Sequence, residues 1–182
     1  MTQVLVLVDL QNDYFRGGAM ELVDADPAVA NAAFLLEIYR RRALPIFHVQ
    51  HIAKRPGATF FLPRTRGADL HESVQPAAGE CIVTKHFPNA FRDTPLLAAL
   101  RTAGASSLAF AGMMTHLCVD TTVRAASDLG FQCVVAQDAC ATKALTFGGH
   151  AVDARDVQVA YLAGLNGAFA NVCPAREIGG AL

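Results

Sequence analysis

Charge is scarce in this chain: 17% of its 182 residues are Asp, Glu, Lys or Arg, against about 25% in an average domain. A surface so thinly charged is partly apolar or used in subunit contacts, and a homo-oligomer, a dimer or tetramer, is expected. The apolar loop segments Ala58 to Leu62 and Ala144 to Phe147 point the same way. Neither sign is in excess, with 15 Lys and Arg opposing 16 Asp and Glu. Nucleic-acid binding through phosphate neutralisation therefore has no footprint. The one basic run, Arg40 to Arg42, sits at an expected helix end, where cations suit the dipole. Long hydrophobic runs are missing too, and the apolar opening Val4 to Val8 meets Asp9 with no basic lead and no small-residue cleavage site. Neither a membrane span nor a secretory leader is expected, and the chain reads as cytoplasmic. The five cysteines form no Cys-x-x-Cys pair; an odd count of this kind predicts thiols, not disulfides.

Apolar material is plentiful, at 53% of residues, and suits the core of one domain spanning residues 1–182. Gln3 to Leu10 is mostly Val and Leu, the pattern of a strand covered on both faces. Val29, Ala33, Leu36 and Tyr39 recur at helical spacing, with Asp26 as the expected cap and Pro27 at the first helical position. Ile46 to Val49 reads as a second strand. Ala53 to Gly79 is broken by Pro, Gly, Arg and paired aromatics and reads as a long loop with one helical turn near Asp69 to Val74. Strands are expected at Cys81 to Thr84, Ser107 to Ala111 and Gln132 to Ala136, with an edge strand at Ala168 to Val172. Helices are expected at Thr94 to Arg101, Thr115 to Leu129 and Asp153 to Leu165. Strands joined by crossovers of this length specify a mostly parallel sheet between two helix layers, an α/β three-layer sandwich.

Sites in such sheets lie beyond the carboxyl ends of the strands. Asp9 ends the first strand, Lys85 ends the strand begun by Cys81, and Cys118 follows the strand that closes at Ala111. These three strands are expected as neighbours near the centre. A thiol at a helix start beside a cation is favoured as thiolate. Asp9 is suited to take its proton and pass one to a leaving amine, and Lys85 to hold the two anions together. Backbone N–H groups around Met114 to Cys118 are suited to meet an oxygen that turns negative. This inventory serves amide hydrolysis through a thioester, and Asp9 and Lys85 are expected to matter more for turnover than for folding. Each residue also has a plainer reading: Cys118 as a core thiol, Asp9 as a turn cap, Lys85 as a surface group.

The blocks around them narrow the choice. Val8-Asp9-Leu10-Gln11-Asn12-Asp13-Tyr14-Phe15 is followed by Lys85-His86-Phe87-Pro88-Asn89-Ala90-Phe91 and by Ala111-Gly112-Met113-Met114-Thr115-His116-Leu117-Cys118-Val119-Asp120-Thr121-Thr122. Asp128-Leu129-Gly130 and Asp138-Ala139-Cys140-Ala141 complete the order. In these blocks, from Val4 nearly to Val172, the chain resembles the isochorismatase-like cysteine hydrolases. That family includes nicotinamidases, N-carbamoylsarcosine amidase and ureidoacrylate-type amidohydrolases. The resemblance implies an isochorismatase-like, Rossmann-like fold and a catalytic triad of Asp9, Lys85 and Cys118, with Cys118 as nucleophile and Asp9 as proton carrier. It also implies a cis peptide between Met113 and Met114 and an oxyanion hole formed by the N–H groups of Met114 and Cys118. Thr115, otherwise a simple helix cap, is expected to place its hydroxyl elsewhere. The implied reaction is hydrolysis of a C–N bond in a small amide, carbamoyl or ureido compound. Isochorismatase-type vinyl ether hydrolysis, nicotinamide hydrolysis and a catalytically silent binding protein on the same fold are the alternatives.

Phe15, Phe60, Phe61, Phe87 and Phe91 are candidates for an aromatic wall around a small planar substrate, or else packing for the long loop. His116 is placed at the pocket rim, at a subunit boundary or in solvent. With Phe60 and Phe61 it is also a candidate to serve an adjacent subunit. Asn12 and Asp13 are expected to bond backbone in the turn after Asp9. Arg16, Arg64 and Arg66 suit a substrate carboxylate or simple solvation. His48 and His51, three apart on a strand, face opposite ways, and His48-Val49-Gln50-His51-Ile52 stands where nicotinamidases carry Asp-x-His. No metal and no other cofactor are expected; the partners are a small-molecule substrate and further copies of the chain.

Overall fold

In β1 (Thr2–Val8) every residue from Val4 to Val8 is buried, so both faces of the strand need cover. Val4, Val6 and Val8 enter one apolar cluster while Leu5 and Leu7 enter another, the alternation that a pleated strand imposes. The computed structural model describes residues 2–182. Following β1 come α1 (Ala25–Arg41), β2 (Ile46–His51), β3 (Cys81–Lys85), α2 (Leu96–Thr102), β4 (Ala105–Met113) and α3 (Asp120–Asp128). The chain continues through β5 (Gln132–Ala141), β6 (Leu145–Phe147), β7 (His150–Val152), α4 (Ala154–Leu165), β8 (Asn171–Cys173) and α5 (Ala175–Ala181).

Six strands form a sheet in the order β3-β2-β1-β4-β5-β8, each pair parallel. Residues of α1 and α5 share a core with Leu5, Leu7, Ala109 and Ala111. On the other face, residues of α2, α3 and α4 pack with Val4, Val6, Leu108 and Phe110. The result is the α/β three-layer sandwich, with helices on both sides of a parallel sheet.

Several boundaries differ from expectation. Helix α1 starts at Ala25 after Asp24, whose φ is 57°, so Asp26 is not its cap; Pro27 is tolerated in the first turn because its missing N–H has no bond to make there. The segment expected as one helix from Thr115 is split: Thr115–Val119 is a π turn and α3 begins at Asp120. Strand β3 is an edge strand, two places from β1, not its neighbour. The long loop holds two short 3₁₀ turns, Arg66–Ala68 and Glu72–Val74. Two elements were not expected, the antiparallel hairpin of β6 and β7 and the terminal helix α5.

Polar side chains fasten the loops. Asp13 accepts from the N–H groups of Ala19 and Phe61, and Asn12 donates to Arg66 O, so both bond the backbone of distant loops as well as shaping the turn after Asp9. At the opposite side Glu80 receives Arg40 at 2.6 Å and His48 at 2.8 Å, tying the start of β3 to α1 and β2. Arg40 holds the Glu80 carboxyl down to about 2, with the Ala77 N–H and His48 assisting against burial.

Candidate active site

At the end of β1 the backbone turns sharply. Asp9 adopts φ 51°, a left-handed conformation uncommon outside glycine, and such outliers concentrate at functional sites. Beside it Gly112 has φ 142°, and a Cβ there would sit 2.0 Å from Val8 O. Only glycine lets β4 run this close to the end of β1. The Met113–Met114 peptide is cis. Met114 O then accepts from the N–H groups of Leu117 and Val119, passing over that of Cys118 between them. The Thr115 hydroxyl donates to Ala141 O at 3.1 Å and makes no cap bond.

Lys85 reaches this point from the edge of the sheet. Strands lie about 4.8 Å apart, so β3 is roughly two such spacings from β1, a gap a lysine side chain can cross. Strand β2 runs past the end of β1: Val8 pairs with Val49, and His51 with Lys85. His51 therefore stands between the lysine and Asp9. Lys85 Nζ is 2.7 Å from Asp9 Oδ2, 2.9 Å from His51 Nδ1, 3.1 Å from Phe87 O and 3.3 Å from Cys118 Sγ. Asp9, Lys85 and Cys118, separated in sequence, are thus one buried cluster.

Burial sets the charges. It pushes the Asp9 carboxyl up, against the pull of Lys85. It also pushes the Cys118 thiol up, helped by the Asp9 charge and opposed by Lys85. For Lys85 burial works against the charge, but Asp9 and Cys118 outweigh it and the ammonium is held above its usual range. Asp9 and Lys85 thus stand as a buried ion pair, while burial favours the protonated form of Cys118. A cation and a helix start draw Cys118 toward the thiolate, and the desolvation of a buried sulfur pushes it the other way as the larger effect.

Asp9, His51 and Cys118 present ligand atoms within 4.8 Å of one another, a set that in residue type would suit a divalent metal. Lys85 Nζ already lies within hydrogen-bond or ion-pair distance of the same three atoms. A dication among them would meet the ammonium at close range, so this donor set does not fit a metal.

The isochorismatase domain model matches residues 3–174. The chain belongs to the isochorismatase family. It is 45% identical over 172 residues to the uncharacterized isochorismatase family protein YddQ of Bacillus subtilis, covering 94% of this chain and 96% of that one. A solved isochorismatase-family hydrolase from Oleispira antarctica is 44% identical with a TM-score of 0.95, covering 98% of this chain and 96% of the other. Amidohydrolases are also among the relatives: the ureidoacrylate amidohydrolase RutB of Enterobacter sp. is 30% identical over 168 residues, 74% of this chain and 73% of its own length.

In this isochorismatase-family chain a cleft of about 850 Å³ opens beside the cluster. Its lining includes His51, Phe60, Phe87 and Leu117, with Lys54, Arg55 and Asp93 adding charge. Of the aromatic candidates, Phe60 and Phe87 line this cleft, and Arg92 lies 3.6 Å over the Phe87 ring. The other three do not. Phe15 is buried against His71, ring centroids 4.1 Å apart; Phe61 is 1% exposed and packs edge-on to Tyr14; Phe91 packs with the α2–α3 core. Phe15 and Phe61 gain full burial in loop packing and Phe91 is partly covered by the core, each removing aromatic surface from water. His116 is turned away as well, bonded to Thr142 Oγ1 and facing Tyr161. Arg16 and Arg66 line a different groove with Asn12 and Asp13.

Sequence reasoning weighed His51 only as a metal ligand and missed it as a neighbour of Lys85. Its position two residues past Val49, the end of the second apolar run, was the available signal. His48 does lie on the opposite face, buried against Glu80.

Proposed function

We propose that the protein is a cysteine-dependent hydrolase of a C–N bond in a small carboxamide, carbamoyl or ureido compound, acting through a thioester on Cys118. The observation that carries this reading is the placement of Lys85 Nζ 2.7 Å from Asp9 Oδ2 and 3.3 Å from Cys118 Sγ, next to a cleft walled by His51, Phe87 and Leu117. A buried thiol needs a base to become a nucleophile, and Asp9 is that base: a carboxylate oxygen and Cys118 Sγ lie within 4.8 Å of one another.

The proton moves from Cys118 Sγ to Asp9 as sulfur attacks the substrate carbonyl carbon. Before and after, the cluster holds one cation and one anion, so the transfer adds no net buried charge. Lys85 stays within reach of both anions. The carbonyl oxygen becomes negative and is received by the N–H groups of Met114 and Cys118. Asp9 then donates its proton to the departing amine or ammonia, and the C–N bond breaks to leave an acyl-sulfur bond. Water, giving a proton to Asp9, cleaves that thioester and restores the thiol. The relationship to amidohydrolases such as RutB supports the C–N bond as target. The free thiols suit a reducing cytoplasm, where one domain over residues 1–182 performs the whole reaction as part of a homo-oligomer.

The test is a panel of small carboxamides, carbamoyl and ureido acids, read by ammonia release and by mass spectrometry of acid-quenched protein. A substrate should leave an acyl mass on the Cys118 peptide, absent in Cys118→Ala. Undiminished turnover by Cys118→Ala refutes the reading.

A further inference from the structure

Lys85 is a crowded cation. Its ammonium has three hydrogens and faces four acceptors: Asp9 Oδ2, His51 Nδ1, Phe87 O and Cys118 Sγ. Four acceptors thus share three hydrogens, so each hydrogen taken by His51 Nδ1, Phe87 O or Cys118 Sγ is one fewer for Asp9 Oδ2. A carboxylate that accepts a hydrogen bond holds its negative charge more firmly and attracts a proton less. Where the ammonium hydrogens point therefore bears on how good a base Asp9 is.

Among these acceptors His51 is the side chain that the proposed reaction leaves unused. Its Nδ1 accepts only while it carries no proton, which requires the neutral tautomer with hydrogen on Nε2. Burial, with the charges of Lys85 and His86 adding to it, holds the imidazole down to about 3. The residue is fixed from behind by fully buried Gln11, which accepts from His51 N–H at 2.7 Å and donates to His51 O at 2.9 Å. The Phe61 ring lies 5.8 Å from the imidazole. The acceptor is built into the end of β2, independent of any substrate.

We propose that His51 is a positioning residue that takes one hydrogen of Lys85 and so weakens the ammonium's hold on Asp9, leaving the carboxylate basic enough to accept the Cys118 proton. The inference rests on the assignment of Asp9 as base and Cys118 as nucleophile. Without Nδ1, an ammonium hydrogen is free to turn to Asp9 Oδ2, already 2.7 Å away. Breaking the S–H bond and forming the Asp9 O–H bond then becomes less favourable, and the thiolate scarcer.

The experiment needs no substrate. Iodoacetamide alkylation of Cys118 is followed by peptide mapping across pH in the wild type, His51→Leu and His51→Asn, with thermal melts to verify folding. His51→Leu is expected to slow Cys118 alkylation about tenfold, the equivalent of one pKa unit, and to move its pH profile upward. His51→Asn, which keeps an acceptor near the place of Nδ1, should recover most of the rate. A structural role alone would lower the melting temperature without this recovery. A folded His51→Leu that labels like the wild type overturns the proposal, and so does a His51→Asn as slow as His51→Leu. If His51→Leu does not fold, 15N spectra of the wild type decide: an unprotonated Nδ1 down to about pH 5 supports the proposal, and a proton there overturns it. First labelling of a cysteine other than Cys118 in the wild type would instead remove the nucleophile assignment, and this inference with it.

Discussion

Asp9→Asn removes one half of a buried ion pair and keeps its shape. Both side chains are fully buried and the charges lie 2.7 Å apart, so the variant leaves the Lys85 ammonium in the interior without its counter-ion. Breaking a buried pair by removing one partner costs about 3–5 kcal/mol, which for a domain of this size lowers the melting temperature by about 6–20 °C. That would be a large effect on folding, beside the loss of turnover expected of Asp9 and Lys85. The loss should depend on pH. An unpaired buried lysine has a folded pKa below its unfolded value, so between the two the unfolded chain binds more protons and stability rises with pH. The double variant Asp9→Asn/Lys85→Met removes the stranded charge and should regain most of the loss. Neither variant should turn over substrate well, since loss of a general base costs about 10²- to 10⁴-fold. Urea unfolding of the wild type, both single variants and the double variant at two pH values measures the coupling. An Asp9→Asn protein as stable as the wild type, or a double variant no more stable than Asp9→Asn, refutes the reasoning.

Gly112→Ala should be destabilising by at least about 2 kcal/mol, because its φ disfavours a side chain and its Cβ would press on Val8 backbone; thermal melts check this, and an unchanged melting temperature refutes it. Because Val8 precedes Asp9, folded Gly112→Ala should also lose activity, a misplacement of about 1 Å costing about 10²-fold. Phe147, 91% exposed in the β6–β7 hairpin, is expected to be covered by a second copy of the chain. Light scattering at micromolar concentration should give a multiple of 19.3 kDa for the wild type and a shift toward the monomer for Phe147→Asp; a wild-type monomer refutes it.

The legible parts of the fold were those with a strong local pattern. The Val and Leu run of β1 reads as a buried central strand because both faces carry apolar side chains, and the alternation of such runs with amphipathic helices leaves a parallel sheet as the economical topology. The hairpin went unread although Gly148 and Gly149 stand between two short runs, a two-residue turn signal; its exposed strands, with Phe147, His150 and Val152 facing solvent, lack the burial pattern that draws attention to a strand. Strand order was less legible. Nothing in Cys81 to Lys85 says that β3 is at the edge, since Val83 and Lys85 are buried there as fully as central residues.

The candidate site was legible where the strands end and illegible where loops choose between packing and lining. Asp9 follows β1 directly, Lys85 closes β3 and Cys118 lies in the turn after β4, so topology brings them to the carboxyl end of the sheet. The aromatics of the long loop carry no such constraint. Phe60 and Phe61 are adjacent in sequence, yet Phe60 faces the cleft and Phe61 the Tyr14 core, a split decided by Asp13 accepting the Phe61 N–H. That bond joins residues 48 apart, beyond the reach of any local pattern. His51 shows the same limit from the other side. Its spacing from His48 says correctly which face it takes, but its partner is set by the register of β2 against β3, which pairs it with Lys85. A one-residue slip would send its side chain to the opposite face and leave the ammonium one acceptor short. The electrostatics of the site are thus a property of sheet register, and become readable only when the strands are paired.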